Sequence, residues 1–147
     1  MRIVPVEDKD LPSVKKLLKG AGLSEAGVED QFENFLKLIL DGELAAVAGL
    51  EIYDHAGLVR SVAVAEEYRH SGLGRGLIRA MINKARSAGI ETLYLVTDTA
   101  ADYFYRFGFR PVERQQIYAP VLDSEQFRTA SSPRAVSMYL NLQDTVR

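Results

Sequence analysis

Residues 66–76 read EEYRHSGLGRG and combine three glycines with two arginines in eleven positions. The preceding run, LVRSVAVA at residues 58–65, is typical of a strand, and the following run, LIRAMINKARSAG at residues 77–89, repeats its apolar residues at helical spacing. The segment therefore predicts a strand, a glycine turn and a helix that begins near Gly72. A helix N-terminus offers unpaired amides and a positive dipole end, and glycine lets an anion approach the backbone closely.

The spacing of the glycines separates this turn from two familiar phosphate-binding loops. A Walker A loop requires a Gly-Lys pair, and the sequence contains none. A dinucleotide-binding fingerprint has the spacing G-x-G-x-x-G in a first βαβ unit, whereas G-x-G-x-G occurs here in mid-chain. The pattern that remains is R-x-x-G-x-G, formed by Arg69, Gly72 and Gly74. An ordinary strand-to-helix turn explains one or two of these glycines but not their combination with the arginines.

The overall composition limits the function classes. The 147 residues suffice for one core, so we expect a single domain over residues 1–147. A formal net charge of −2 indicates neither nucleic-acid binding nor a polybasic membrane patch. With no cysteine and two histidines, disulfides and a cysteine nucleophile are excluded and no metal site is expected. The first residues do not resemble a signal peptide, and no apolar run approaches the ~18 residues of a membrane span, so we expect a cytoplasmic protein.

Glycine, proline and acidic residues divide the rest of the chain into strands and helices. Asp41-Gly42 predicts a two-residue hairpin turn, because both positions must tolerate positive φ. Strands are expected at residues 3–6, on both sides of that turn within residues 34–53, and at residues 56–65, 91–97, 109–117 and 134–142. Helices are expected at residues 11–20, 24–32, 72–88 and 98–107, with one helical turn near residues 123–127. The order β-α-α-β-β-β-α-β-α-β-β predicts an α+β domain with a mixed, mostly antiparallel central sheet.

These features resemble the GCN5-related N-acetyltransferase (GNAT) superfamily. In that family [RQ]-x-x-G-x-[GA] follows a strand and binds the pyrophosphate of acetyl-CoA. The element order, the strand ending SVAVAEEYR at residues 61–69 and FYRFGF at residues 104–109 are also similar to the family pattern. The resemblance implies the GNAT fold, acetyl-CoA as co-substrate and a cofactor-binding set of Val62, Ala63, Val64, Arg69, His70, Ser71, Gly72, Leu73, Gly74 and Arg75.

The resemblance also implies a role for each part of that set. Backbone amides of residues 70–75 would hold the pyrophosphate, with added charge from Arg69 and Arg75, while His70 needs to contribute only its backbone. The backbone of residues 62–64 would pair with the pantetheine arm, because the fourth and fifth strands of the family splay apart. One N–H near Val62 or Val64 would polarise the thioester carbonyl.

Two positions depart from the family pattern. The tyrosine that protonates the leaving thiolate is replaced by Phe104, which we still place against the cofactor. Tyr103 and Tyr105 flank it, each rotated by ~100° around the helix. Tyr105 is our candidate acid, and the alternatives are unassisted departure of a thiolate of pKa ~8.5 and simple aromatic packing. Thr97 stands where many members have an asparagine that bonds the pantetheine, so we include it in the cofactor site.

Two charged strand residues are candidates for the acceptor side. Glu51 could act as a base through water, and Arg60 could bind a substrate carboxylate; the alternative for each is a solvent-facing strand residue. TDTA at residues 97–100 is similar to the amino-acid N-acetyltransferases and to N-acetyltransferase-like proteins of arsenic-resistance operons. Members of the second group often have a cysteine before the proline, and Ser132 replaces it, which gives no support to arsenic binding.

The leading interpretation is an N-acetyltransferase for a small amine-bearing metabolite, an amino acid or analogue. A protein or peptide N-acetyltransferase and a non-catalytic acyl-CoA sensor are the alternatives. No nucleic-acid or membrane partner is expected, and the C-terminal strand leaves a homodimer open.

Overall fold

Seven β-strands and five α-helices make up the described part of the chain, residues 1–130 and 132–143, in this computed structural model. The strands are β1 (Arg2–Pro5), β2 (Leu36–Leu40), β3 (Glu43–Tyr53), β4 (Ala56–Val64), β5 (Thr92–Thr97), β6 (Arg110–Pro111) and β7 (Val136–Asn141). The helices are α1 (Leu11–Gly20), α2 (Leu73–Ser87), α3 (Ala101–Tyr105), α4 (Ala119–Leu122) and α5 (Glu125–Thr129). The strands form one sheet in the order β1-β2-β3-β4-β5-β7-β6. Of the strand pairs in the described residues, β4–β5 is parallel and the others are antiparallel. The predicted α+β class and the mostly antiparallel sheet are therefore confirmed.

The hairpin between β2 and β3 turns at the predicted dipeptide. Asp41 and Gly42 have φ angles of 52° and 78°, so both occupy the left-handed region that a two-residue hairpin turn of this type requires. The turn brings β2 and β3 into register, with Leu40 opposite Glu43. That prediction is confirmed.

Helices cover both faces of the sheet. Five apolar side chains of α2 are buried along one stripe: Leu77, Ile78, Met81, Ile82 and Ala85. They pack in one cluster with Ala46, Ala48 and Leu50 of β3, whereas Val47 packs in a second cluster with α1. Alternate residues of a strand point to opposite faces, so β3 is buried on both sides and its sequence is almost continuously apolar. The central sheet is therefore a rigid support for the strand that follows it.

The prediction of a short helix at residues 24–32 is wrong. Two 3-10 turns replace it, at Val28–Asp30 and Phe32–Asn34, and Gly27 before them has a φ of 76°. A left-handed glycine ends helical geometry locally, so the segment forms an irregular cover over the end of β3. The Gln31 side chain fastens it there, because its Oε1 accepts the backbone N–H of Ile52 at 2.7 Å.

The chain after α3 also differs from the prediction. The strand expected at residues 109–117 is limited to Arg110–Pro111, and Arg114–Gln116 forms a 3-10 turn instead. Proline cannot donate a backbone hydrogen bond, which shortens the ladder. The helical turn expected near residues 123–127 is present as α5, and the short helix α4 precedes it. The side chain of Ser124 caps α5 by accepting from the backbone N–H of Phe127.

Two expectations about the whole chain are not decided by this architecture. A single domain over residues 1–147 stays a prediction, and Ser131 and residues 144–147 lie outside the described residues. In the described ranges no helix has the length and apolar character of a membrane span. The cytoplasmic location also stays a prediction.

Candidate active site

A cleft opens where β4 and β5 separate. Their parallel pairing runs from Ala56–Thr92 only to Leu58–Tyr94, after which β5 pairs with β7 alone. The space between the diverging strands forms an open cleft of about 1260 Å³. Among the described residues, no strand pairs with β4 on that side beyond Leu58, as the family resemblance predicts.

A β-bulge turns the free part of β4 towards the cleft. Val47 pairs with Ala63 and Gly49 with Arg60, so two residues of β4, Ser61 and Val62, lie opposite one residue of β3. Ser61 has a φ of 58°, which is uncommon for a residue other than glycine. Bulges bend a strand and redirect its groups next to functional sites. All of residues 59–64, including the predicted Val62, Ala63 and Val64, line the cleft.

The glycine turn presents an uncapped helix end to the same cleft. Gly72, with a φ of 84°, is the N-cap of α2, and no side chain caps the helix there. The first-turn amides of a helix have no intrahelical partner, so they are available to an anion. Of the predicted residues in the turn, Arg69, His70, Gly72, Gly74 and Arg75 line the cleft. Ser71 and Leu73 do not; the hydroxyl of Ser71 donates to the carbonyl of Tyr68 within the turn.

Gly74 allows three elements to meet at this helix end. A Cβ at Gly74 would lie 3.1 Å from the Tyr103 hydroxyl on α3 and 3.3 Å from Cγ2 of Val64 on β4. Arg69 adds a further tie, because its Nε donates to the carbonyl of Val64 at 2.9 Å. A side chain at position 74 would therefore crowd the Tyr103 hydroxyl and Val64, so glycine suits the close packing here.

The cleft is strongly cationic although the chain as a whole is acidic. Among the described residues that line it there is no carboxylate, and there are five arginines: Arg60, Arg69, Arg75, Arg79 and Arg106. The last three are exposed and form no hydrogen bond or ion pair with any described residue. Guanidinium groups are well suited to phosphates, so this composition favours an anionic ligand.

The two predicted acceptor-side residues form one buried network. The Arg60 side chain is 0% exposed, and its Nη1 donates to Oε2 of Glu51 at 2.9 Å. Its other nitrogens donate to the carbonyl of Ala26 at 2.7 Å and to the Ser61 hydroxyl at 2.8 Å. The interpretation of either residue as solvent-facing is therefore wrong. Arg60 on β4 thus holds the irregular segment before β2 through its bond to Ala26. Arg60 also lines the cleft, and Glu51 does not line it.

Tyr53, two residues after Glu51 on β3, also belongs to this network. Its hydroxyl donates to Oε1 of Glu51, so both carboxylate oxygens are hydrogen-bonded. Burial and the bond to the Glu51 carboxylate raise the pKa of Tyr53 well above its ordinary value. The phenol is therefore neutral at physiological pH and remains a donor.

The aromatic residues of α3 point in three directions. Phe104 is buried, lines the cleft and meets Phe109 edge to face at a ring separation of 5.8 Å. Tyr105, our candidate acid, is 52% exposed and lies outside the cleft lining, with the Arg110 guanidinium 3.7 Å above its ring. Tyr103 does line the cleft. The proton-donor role of Tyr105 stays a prediction that this placement does not favour.

Thr97 lies in the cleft at the end of β5, as expected for a cofactor residue. Its hydroxyl oxygen accepts the backbone N–H of Ala100 at 3.0 Å, so it also orders the turn into α3. The helix expected at residues 98–107 is shorter in the structure, where α3 covers only Ala101–Tyr105.

Comparison with known proteins identifies the fold that carries this cleft. Residues 9–109 match the acetyltransferase (GNAT) family. The chain belongs to this family. The matched range contains β2 to β5, the glycine turn and all of α3, and therefore most of the cleft.

Named relatives of this GNAT chain include bacterial amino-acid acetyltransferases. Those from Pseudomonas fluorescens and Pseudomonas aeruginosa are each 37% identical over 91 residues, which are 59% of this chain and 21% of those proteins. The chain thus spans about a fifth of the length of the curated relatives it matches.

Solved structures show the same fold. N-acetylglutamate synthase from Neisseria gonorrhoeae, complexed with coenzyme A and N-acetyl-glutamate, superimposes with a TM-score of 0.83 at 21% identity over 96% of this chain and 35% of that one. Rv2747 from Mycobacterium tuberculosis, in complex with CoA, gives a TM-score of 0.80 at 19% identity over 96% and 99% of the two chains.

The structure also adds residues to the GNAT cleft that the sequence did not single out. Arg79 follows Arg75 by one helical turn, which is a signal that the sequence contained. Tyr103 and Arg106 line the cleft because of the orientation of α3, which no local pattern reveals. Tyr53 lies outside the cleft lining and belongs to the buried network of Glu51 and Arg60.

Proposed function

We propose that this GNAT chain transfers the acetyl group of acetyl-CoA to the amine of a small metabolite that also carries negative charge, such as an amino acid or its analogue. The observation that supports this most is the cleft lining, which has five arginines and no carboxylate among the described residues. Among the described residues, such a lining offers no carboxylate to attract a lysine-rich peptide or a polyamine. The names of the curated relatives point the same way.

The donor side of the cleft suits coenzyme A. The uncapped first turn of α2 offers amides to a pyrophosphate, and Arg69 and Arg75 add charge beside it. The free backbone edge of residues 62–64 can pair with the amides of an extended pantetheine arm. A β4 amide directed into the cleft can donate to the thioester carbonyl and stabilise the negative charge that develops on it.

We place the acceptor near Arg60, Ser61 and Gln126, three residues that line the cleft. Binding of an acceptor carboxylate by Arg60 stays a prediction that this placement does not favour, since its guanidinium is buried and bonded to Glu51, Ser61 and the carbonyl of Ala26. An α-amino group with a pKa of ~8 is partly neutral near pH 7 to 8, so attack on the thioester does not depend on a strong base. The role of Glu51 as a base through water stays a prediction that its burial in the ion pair with Arg60 does not favour.

Calorimetry with CoA and a thiol-release assay with a panel of amines test the proposal. We expect CoA to bind, and acidic or neutral amino acids to be acetylated in preference to spermidine and lysine-rich peptides. Binding of CoA without turnover of any amine would instead indicate an acyl-CoA sensor. Preference for the peptides would contradict the small-metabolite assignment.

A pair of variants tests the glycine turn itself. Gly72→Glu places a carboxylate at the helix end and should abolish CoA binding. Gly72→Ala shares the strain of a side chain at a φ of 84° but adds no charge, and should retain most of the affinity. Equal affinity in Gly72→Glu and the wild type would refute the pyrophosphate assignment.

A further inference from the structure

The hydroxyl of Tyr103 is the aromatic hydroxyl of α3 that faces the cleft. Its ring is held edge to face against Phe104 and Phe107, each at a centroid distance of 5.3 Å. These two contacts fix the direction of the phenol. Tyr105, one residue further along, points away from the cleft and packs under Arg110.

The fixed phenol points at the glycine turn. Its oxygen lies 3.1 Å from the position of a Cβ on Gly74, in the first turn of α2. It makes no hydrogen bond with any residue in the described ranges 1–130 and 132–143, although the side chain is half-buried. A half-buried hydroxyl without a protein partner is available to donate to a ligand.

The charge state of the phenol supports a donor role. Burial raises the pKa of Tyr103 above its ordinary value, and the nearby Arg75 offsets only part of that effect. The group is therefore protonated at neutral pH. The same Arg75 and the free amides of α2 would draw an anion to within reach of the hydroxyl.

We propose that Tyr103 is a cofactor-binding residue that donates its hydroxyl to the pyrophosphate of coenzyme A at the N-terminus of α2. We assign it to the pyrophosphate rather than to the leaving thiolate, because the hydroxyl lies beside Gly74 in the first turn of α2, where the proposed function puts the phosphates. The inference rests on the proposed function. It gives α3 a role in binding the phosphates of coenzyme A.

Tyr103→Phe tests the assignment, because phenylalanine keeps both ring contacts and removes only the hydroxyl. Tyr139→Phe is the matched control, since Tyr139 is 37% exposed on β7 and lies outside the cleft lining. A hydrogen bond to a charged group is worth roughly a ten- to hundredfold change in affinity. We therefore expect the Kd for CoA, measured by calorimetry, to rise by roughly that factor in Tyr103→Phe and to stay unchanged in Tyr139→Phe.

Turnover then separates binding from proton transfer. With saturating acetyl-CoA, Tyr103→Phe should keep a kcat within about threefold of the wild type and the same pH profile of kcat. An unchanged Kd for CoA overturns the inference, and so does a loss of kcat of a hundredfold or more at unchanged Kd, which would make Tyr103 the acid. Failure of the wild type to bind CoA would instead reject the proposed function.

Discussion

Replacing Glu51 with glutamine separates a structural role for this carboxylate from a catalytic one. The substitution keeps the shape of the side chain but leaves the Arg60 guanidinium charged and without its counter-ion. The two side chains are 6% and 0% exposed and 2.9 Å apart, so neither water nor another described carboxylate can replace the lost charge. The prediction is a large loss of stability rather than a selective loss of turnover.

The magnitude follows from the burial of the pair. Breaking a buried ion pair by removing one partner costs about 3–5 kcal/mol. For a chain of this size each kcal/mol lowers Tm by about 2–4 °C, so Glu51→Gln should lower Tm by about 6–20 °C. Thermal and urea unfolding followed by circular dichroism measure this directly.

Two companion variants make the result specific. Glu51→Leu combined with Arg60→Met removes both charges and should recover most of the lost stability, because apolar replacements of a buried pair are often neutral or better. Glu125→Gln removes the acid of the exposed Glu125–Arg128 pair and should cost at most about 1 kcal/mol. If Glu51→Gln changes Tm by less than 2 °C while kcat falls more than a hundredfold, the structural reasoning is refuted and Glu51 acts as the base.

Three further outcomes follow from contacts in the same region. Because the pKa of Tyr53 is raised, its phenol keeps its proton in the folded state at a pH where the unfolded chain has lost it. The contribution of Tyr53 to stability is therefore complete below pH ~10 and declines above it. Tyr53→Phe should weaken this alkaline decline in the free energy of unfolding. A methyl group at Gly49 would lie 2.7 Å from the Phe35 ring and 2.8 Å from the Arg60 carbonyl oxygen. Gly49→Ala should therefore lower the free energy of unfolding in urea by about 1–3 kcal/mol. Gly20→Ala is the control, because the space around Gly20 is open and no destabilisation is expected. Arg79→Gln and Arg106→Gln should each raise the KM for acetyl-CoA several-fold at low salt, and by less at 0.5 M NaCl, with kcat unchanged. Equal increases in KM at both salt concentrations would show that these charges do not act on the phosphates.

The features that the sequence predicted well are those encoded by neighbouring residues. The Asp41-Gly42 turn needs two residues with positive φ, and the strand–glycine–helix unit around Gly72 is continuous in the chain. Each is decided within a few positions by backbone geometry. The same reasoning failed at residues 24–32, where the left-handed Gly27 and the clamp of Gln31 on Ile52 override a weak helical pattern.

The rest of the site depends on register and orientation. Gly49 pairs with Arg60 and Glu51 with Leu58, so Glu51 and Arg60 meet only through the register of β3 on β4, and their ion pair could not be inferred from spacing alone. Likewise Tyr103 and Tyr105 are equivalent in sequence as neighbours of Phe104. Only the packing of α3 decides that the first faces the glycine turn and the second faces Arg110.

The divergence of β4 from β5 also bears on aggregation. An unpaired strand edge is normally a hazard, since another chain can add to it. Here the two free edges face each other and converge at Leu58–Tyr94, so an intruding strand would meet the closed end after a few residues. A slender extended molecule can enter where a strand with side chains cannot. The family fold can thus keep backbone groups permanently unpaired for a ligand, and amide exchange at residues 62–64 should slow when that ligand completes the sheet.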